Sequence, residues 1–554
     1  MEARNRHVPV FLLIGEMDSA LTDPSVCALI TERTVPVHLL PGMRPDVELL
    51  CQQAGVLFSQ EGALPLCALL LPDALPYLAA PLPPSGFALD PSRLYVWLSQ
   101  ADRRFVQNLP AFIGQAAQVL SSMRAPALRR PYPPQDAAHD LTRALAAIED
   151  NHNGGFGRIK TPFVCGLLFL QHAAARGDRA CRVSLNHALD AMLSSSLYDP
   201  LDGLFFRSTL TEDWRVFVPE KPLGVNALLA LVLLENGRRT EATRTLEALL
   251  GSFSMQGGGF TPFLYAPRAM YAFTPEQVCA ALGADEGLRA CRLLNLLRQH
   301  TLPDPPVTPS RFSPMPPDEQ GRRDIGEDAP LFPRLSAEIT PEDEAFLRRA
   351  LPRLHRARAG RASQRPSLYM ITEECAIAAY VFAVCGRRLG ETRYTQAAQR
   401  AVARLAGLAP SSGGLTPLPP SVSPSSPLYA QATCGAAASL ALALLALGQN
   451  EDMAQYAQSG LQLLGSSLHA FLRRDGLVCH TPDDPAASFP RVPAVMDDEL
   501  PSPAALLVQA LRIADTLRPE AHYAQSIGEI WESAAPTAHA TPLSCAGLID
   551  AVNP

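Results

Sequence analysis

With 554 residues, 47% hydrophobic and 18% charged, the chain is too long for one ordinary core and too apolar to be disordered, so at least two domains are expected. The formal net charge is -7 and the 47 Lys and Arg are scattered along the sequence, which argues against nucleic acid as the main partner. The longest apolar stretch, Gly435 to Gly448, is too short for the roughly 20 residues of a bilayer-spanning helix. Val8 to Gly15 lacks a small-residue cleavage site, so a cytoplasmic protein without membrane contact is expected.

Residues 8 to about 80 alternate short apolar runs with helical stretches, the pattern of an α/β domain. Val8 to Ile14, Val35 to Leu40 and Leu66 to Leu71 read as strands, with a helix over 23–32 that Asp23 caps and Pro24 opens. The domain is expected to span residues 1–125. The proline-dense stretch 126–138 reads as a stiff linker.

From 139 to 554 the signal is almost wholly helical. Apolar residues recur at helical spacing in Leu141–Ile148, Pro162–Ala175, Leu223–Leu234, Glu241–Leu250, Glu286–Leu297, Glu342–Leu354, Ile371–Val384, Thr392–Leu405, Gly435–Leu447, Asp452–Leu468 and Pro503–Leu517. Many are apolar or small all round, as doubly buried inner helices must be. A glycine-turn signature returns between them at Gly154-Gly-Phe156, Asp202-Gly-Leu-Phe205, Gly258-Gly-Phe260, Gly413-Gly-Leu415 and Asp475-Gly-Leu477. Its recurrence predicts stacked helical hairpins and is the main clue to a toroid. A proline-rich stretch near 301–340 reads as a surface excursion.

The 12 cysteines include no C-x-x-C and no zinc-type cluster with histidine, so no metal and no cofactor is expected. Cys27 and Cys51 read as buried. HExxH, GxSxG, the Walker loop and a GxGxxG placed after a strand are absent.

In order along the chain, Pro9-Val-Phe-Leu-Leu-Ile-Gly15, Asp23-Pro-Ser-Val-Cys-Ala-Leu-Ile30, Arg44-Pro-Asp46, Leu64-Pro-Leu66, Gly154-Gly-Phe-Gly157, Tyr198-Asp-Pro-Leu201, Glu212-Asp-Trp214, Glu220-Lys221 with Asn226, Thr481-Pro-Asp-Asp484 and Leu500-Pro-Ser502 stand out. Together they resemble the family that joins a thioredoxin-like domain to a toroid related to N-acylglucosamine epimerases, which includes the spermatogenesis-associated thioredoxin-domain protein. The resemblance implies an α/β thioredoxin-like domain followed by an all-α (α/α)6-type toroid of the six-hairpin glycosidase kind, with Pro65 as the cis-proline. It also implies losses. Where the family carries its C-x-x-C, this chain reads Glu16-Met-Asp-Ser-Ala-Leu-Thr22. Where the family reads His-Phe-Glu-Lys-Met-Leu-Tyr-Asp-Asn, this chain has Val218-Pro-Glu-Lys-Pro-Leu-Gly-Val-Asn226. Two further pocket motifs appear as Ile371-Thr-Glu-Glu-Cys375 and Pro501-Ser-Pro-Ala504.

The resulting expectation is a non-catalytic binding or scaffold module, its ligand a sugar or sugar derivative or its partner a protein. The alternative is an active epimerase or glycoside hydrolase that uses toroid carboxylates, with Glu220, Lys221, Glu373 and Glu374 as the catalytic candidates. Arg207, Asp213, Trp214, Asn226 and Asp498 are the candidate binding residues. A guanidinium fork suits a carboxylate or phosphate, though a salt bridge from Arg207 to Glu212 or Asp213 is as good a reading. An indole suits a sugar face or the core. The acids near helix starts also read as caps. His480 reads as a lone polar histidine.

Overall fold

The computed structural model describes residues 2–553 apart from 16–18, 61, 63, 84–88, 124–126, 129, 298–330, 337–338, 362–364, 367–368, 408–431 and 484–488. At the N-terminus, β1 (Val10–Ile14), β2 (Val35–Leu39), β3 (Leu66–Leu70) and β4 (Pro76–Pro81) form one sheet in the order β2-β1-β3-β4. β1 and β2 are parallel, and β3 is antiparallel to both its neighbours. The parallel pair requires a crossover, supplied by α1 (Pro24–Arg33). Asp23 caps α1 through bonds from the Ser25 and Val26 amides, at 2.9 and 3.2 Å. α2 (Pro45–Ser59) joins β2 to β3, and α3 (Pro91–Gln107) and α4 (Leu109–Ser122) follow β4. The Leu64–Pro65 peptide is cis.

The sheet separates two cores. Phe11, Leu13, Val26, Tyr77, Leu94, Phe105 and Phe112 fill one face. On the other face Leu12, Ile14, Leu50, Cys51 and Ala68 join Phe263, Tyr369, Ile371 and Val492, so this core continues into the helical part of the chain. Cys51 is buried as expected, but Cys27 is exposed, because it lies on the side of α1 turned away from Val26 and Ile30, the buried residues of that helix.

The stretch read as linker becomes helical at Pro134, since proline is well suited to a first turn. α5 (Pro134–Ile148) opens a series of helices: α6 (Val164–Ala175), α7 (Arg179–Ser194), α8 (Leu223–Glu235) and α9 (Arg239–Ser252). An inserted group follows, α10 (Pro275–Leu282), α11 (Ala284–Leu293) and α12 (Pro341–Ala359). The series resumes with α13 (Thr372–Leu389), α14 (Thr392–Ala406), α15 (Cys434–Gly448), α16 (Ala454–Phe471), α17 (Pro503–Leu517), α18 (Tyr523–Ala540) and α19 (Ala546–Val552).

Contacts between these helices close into a ring. α6 packs on α8, α8 on α13, α13 on α15, α15 on α17, α17 on α19, and α19 on α6. Outside them lie α7 on α6, α9 on α8, α14 on α13, α16 on α15, α18 on α17 and α5 on α19. The result is an α/α toroid. Sequence follows position: every residue from Cys434 to Leu447 of inner α15 is buried. Outer α14 buries only Tyr394, Ala397, Ala398, Ala401, Val402 and Leu405, an i, i+3, i+4 stripe.

The two ends of the ring differ. Inner-to-outer links are short, as at Arg176–Asp178 and Asn236–Arg238, whereas outer-to-inner links are long except at 541–545, between α18 and α19. The glycine-turn signature lies in those long links, where it closes the β5 (Tyr198–Asp199) and β6 (Leu204–Phe205) hairpin and the Glu149–Phe156, Ser254–Phe260 and Leu472–Val478 bridges. Gly203 and Gly476 take φ of 81°, which β-carbon sterics disfavour. The fourth copy, Gly413-Gly-Leu415, lies outside the described residues.

The proline-rich excursion is flanked by structure that its sequence hides. Residues 301–330 lie outside the described set, but Phe273, Val278, Leu282, Ala290, Phe346, Leu347 and Leu354 of the inserted group share their own core. α11 stops at Leu293, short of the expected Leu297.

Ring closure depends on close helix approach. A β-carbon at Gly448 would sit 2.5 Å from the Ala457 Cβ, with Ala457 backbone alongside. Gly448→Val is therefore expected to destabilise the toroid by about 1–3 kcal/mol, read as a lower denaturation midpoint in urea.

Candidate functional site

All six inner helices begin at the end with the long links, and their first turns are tied together by carboxylates. Glu374, in the first turn of α13, accepts a bond from the Gly224 amide of α8 at 2.6 Å. Asp497 accepts from Ser502, the N-cap of α17, at 2.8 Å and from Gly547 of α19 at 2.7 Å. The Cys165 thiol of α6 also lies against Asp497. Glu373 rests on Gly435 of α15, where a β-carbon would fall inside its carboxylate. Backbone amides left unpaired at a helix start, and the positive end of its dipole, favour such acids.

Into this ring of acids projects Arg207. Its Nε donates to Glu220 at 2.8 Å and its terminal nitrogens reach Glu220 and Glu499. Glu220 is placed by β7 (Glu220–Pro222), whose strand partner is β8 (Phe263–Tyr265). The Arg207 and Glu499 side chains retain 28% and 38% exposure. Asp498 is exposed as well. Together these residues describe a recess with solvent access.

Crowding shapes its protonation. Burial pushes Glu373 up to about 8, helped by Glu374 and Asp498. Burial raises Glu374 to about 7 against the Gly224 amide and Arg207, and raises Asp497 to about 7 against the amides of Gly547 and Ser502. Asp498 and Glu499 are raised by burial too, with Arg207 opposing.

The N-terminal unit approaches the same end of the ring, where a β-carbon on Gly42 would lie 2.8 Å from Cδ1 of Ile371, the N-cap of α13. Burial pushes Glu48 of α2 up to about 8, against bonds from the Arg44 and Gly42 amides, and it faces Asp498. Nearby, His480 is buried with neither ring nitrogen bonded by a described residue. Burial lowers it to about 4, with Asp46 opposing. It is therefore neutral at pH 7, and Asp484 beside it in the sequence motif lies outside the described residues.

Of the sequence candidates, Arg207, Glu220, Glu373, Glu374 and Asp498 meet at the recess. Lys221, Asp213, Trp214 and Asn226 do not. Lys221 is fully buried between Asp199 and Asp202, at 2.7 and 2.6 Å, and Arg358 of α12 binds the same two acids at 2.8 and 3.1 Å. Burial would raise Asp199, but Arg358 and Lys221 hold it well below the usual carboxylate range. Trp214 is a core residue at φ 61°, its indole donating to the Asn153 carbonyl at 2.8 Å. Asn226 spends its amide on Phe205 and Pro222 backbone. Asp213 pairs with Arg215 and Glu212 with Arg158, so neither bridges Arg207, and both lie in an irregular link instead of at a helix start. Sequence reasoning missed Glu48, whose only local signal is a place on an amphipathic helix.

Among the described residues no group of three or more His, Cys, Asp or Glu is arranged to hold a metal ion. Nor is any helix among them long and apolar enough to cross a membrane.

The fold is thus an α/α toroid with an acidic recess at the start of its inner helices. No family model matches the chain, and no curated protein matches it. Among solved structures it is similar to a D-mannose isomerase, with a TM-score of 0.43 and 9% identity over 73% of this chain and 87% of that one. Cellobiose 2-epimerase from Spirochaeta thermophila DSM 6192 gives 0.41 and 14%, over 72% and 84%. A GH76 alpha-mannanase from Bacteroides thetaiotaomicron gives 0.42 and 10%, over 72% and 83%. Likenesses at these scores carry no weight for chemistry.

Two predictions follow from the charges. Carboxyls held near 7 to 8 in the fold titrate at about 4 when unfolded, so the native state binds more protons in between and stability falls as pH rises from about 5 to about 8. The denaturation midpoint is expected to drop over that range. Glu373→Gln flattens the drop and adds on the order of 1 kcal/mol at pH 8; an unchanged slope contradicts the assignment. Separately, Lys221→Met leaves two buried acids facing Arg358 alone and is expected to cost about 3–5 kcal/mol in chemical denaturation.

Proposed function

We propose that this chain is a sugar-binding protein in which a thioredoxin-like domain without a dithiol is joined to an epimerase-type toroid, and that the recess around Arg207 binds its ligand without turnover. The domain boundaries expected from sequence, 1–125 and 139–554, serve this reading, with the toroid's first helix starting at Pro134. The β2-β1-β3-β4 order with its parallel pair supports the thioredoxin-like assignment. The absence of cysteine from Gly15 to Thr22 removes dithiol exchange there.

The observation that carries the binding reading is the Arg207 fork held between Glu220 and Glu499 beside Glu374. A guanidinium fixed by carboxylates offers donors and acceptors in a rigid array, suited to vicinal hydroxyls. Acids that hold their protons near neutrality make the recess less anionic than its composition, which suits a neutral ligand. Turnover is disfavoured because the family's pocket histidine is Val218 here, and His480 is too acidic an imidazole to exchange protons at pH 7.

One observation favours the enzymatic alternative. Glu373 and Glu374 hold protons near neutrality while Glu220 is ion-paired to Arg207, a division that could furnish acid and base in glycoside or epimerase chemistry. The test is a thermal-shift panel of monosaccharides and disaccharides, with mannose and cellobiose included, followed by NMR of each sugar incubated with the protein. A ligand at 100 times its Kd is expected to stabilise by about 2.7 kcal/mol, and Arg207→Ala to abolish the shift. A flat panel removes the sugar reading. Sugar conversion that Glu220→Gln abolishes establishes the enzyme instead.

A further inference from the structure

We propose that the ring is closed by a proton-dependent latch, in which His172 of α6 holds Asp550 of α19 and lets the seam between these helices loosen when the imidazole loses its proton. The other neighbouring pairs of inner helices follow one another along the chain. His172 and Asp550 are instead brought together from positions 378 residues apart, so no short link of the chain holds the seam. α19 is also the shortest inner helix, with 7 residues, all of them buried, and about 10 Å of rise. A helix this short is not stable by itself, and its place depends on what ties it to its neighbours.

Nδ1 of His172 donates to both carboxylate oxygens of Asp550 at 2.9 Å and is their only hydrogen-bond partner among the described residues. The Asp550 side chain is 3% exposed and that of His172 45%, so the imidazole exchanges its proton with water while the carboxylate stays out of it. The remaining ties run to backbone carbonyls. Arg176 donates to Asn553 at 3.1 Å, Arg512 of α17 to Val552 at 2.7 Å, and the Asn553 amide to Pro134 of α5 at 3.0 Å. Arg182 of α7 is taken up by the Ala174 carbonyl at 2.5 Å. Guanidinium and amide groups do not change charge near neutrality, so His172 is the tie that titrates there. At the mouth the first turn of α19 is held by Asp497, through the Gly547 amide at 2.7 Å.

A protonated imidazole gives the buried carboxylate a charged partner, and a neutral one leaves it a single, weaker bond. The bond to Asp550 raises His172 above its ordinary 6.5 against burial, Glu235 of α8 adds to the rise and Arg176 opposes it. Arg512, with Asp515 beside it, and the Cys165 thiol of α6 also act near Asp550. The latch therefore contributes in full below about pH 6.5 and fades as pH rises through the higher value of the folded state.

Hydrogen exchange of the full chain, followed by mass spectrometry at about pH 5.5 and about pH 8.5 and corrected for intrinsic amide rates, reads the seam directly. Peptides over α19 are expected to lose about fivefold of their protection at the higher pH, relative to peptides over α15 across the ring. His172→Lys carries a cation at both values and is expected to keep α19 protected at the higher pH. His172→Gln carries none and is expected to show the loss already at the lower pH. The α15 reference separates the latch from the general fall in stability caused by the mouth carboxyls. The Lys variant separates it from Asp497, whose ionisation it leaves in place. Protection of α19 that does not change relative to α15 overturns the latch. So does a pH dependence that persists in full in His172→Lys, or wild-type protection of α19 at the lower pH in His172→Gln.

Discussion

Six helices that start at one end of a ring impose a constraint on everything near it. Each leaves backbone amides unpaired in its first turn, and their dipoles add on the same side. The long outer-to-inner links must bring acceptors to that end. Glu374 and Asp497 answer that demand directly, each bonded to the first residues of a neighbouring inner helix. In doing so they staple α13 to α8, and α17 to α19. The acid ring is therefore first a structural device, made of groups the toroid needs in any case.

Gathering acids has a cost. Carboxylates crowded by protein repel one another and lose hydration, which is why Glu373, Glu374 and Asp497 keep their protons to near-neutral pH. Arg207 is the compensating charge. Held by Glu220 and Glu499, it leaves the recess with a rigid cation among acids that can switch between donor and acceptor. The Lys221 and Arg358 cluster resolves the same conflict in another way. There two cations meet two acids deep in the protein and fasten the inserted helices to the ring. That cluster needs no ligand.

What was legible in the sequence follows the physics of burial. Inner helices such as α15 announce themselves because both faces are apolar, and α17 runs from Pro503 to Leu517 as its periodicity predicts. α7 and α18 were not recognised, since polar residues such as Arg182, Asn186 and Glu529 dilute their stripes. β4 was missed because prolines at 76 and 81 bound it. At the site, paired acids near helix starts were visible, yet their local pattern does not separate Glu374, which turns to the recess, from Asp213, which turns to Arg215. Lys221 looked like chemistry by adjacency to Glu220. Alternation along a strand sends neighbours to opposite faces, so Lys221 goes to the buried acids while Glu220 goes to Arg207. Glu48 was beyond sequence reasoning, because only the docking of α2 on the toroid brings it towards Asp498.

That docking also bears on why an α/β unit without a dithiol would persist. A redox domain needs its active face free to meet a partner, with a thiol whose acidity is raised by its surroundings. Here Cys51 and Cys67 are buried and pushed the other way, towards less acidic thiols, by loss of hydration. Exposed Cys27 has no second cysteine within C-x-x-C distance. The surface that is elaborated faces inwards: Gly42 is fitted to Ile371 and Arg44 to Phe489. Such fit is sensitive to single atoms, whereas a vestigial unit would tolerate looser packing. Contact with the toroid thus gives the unit a structural role that its buried thiols do not.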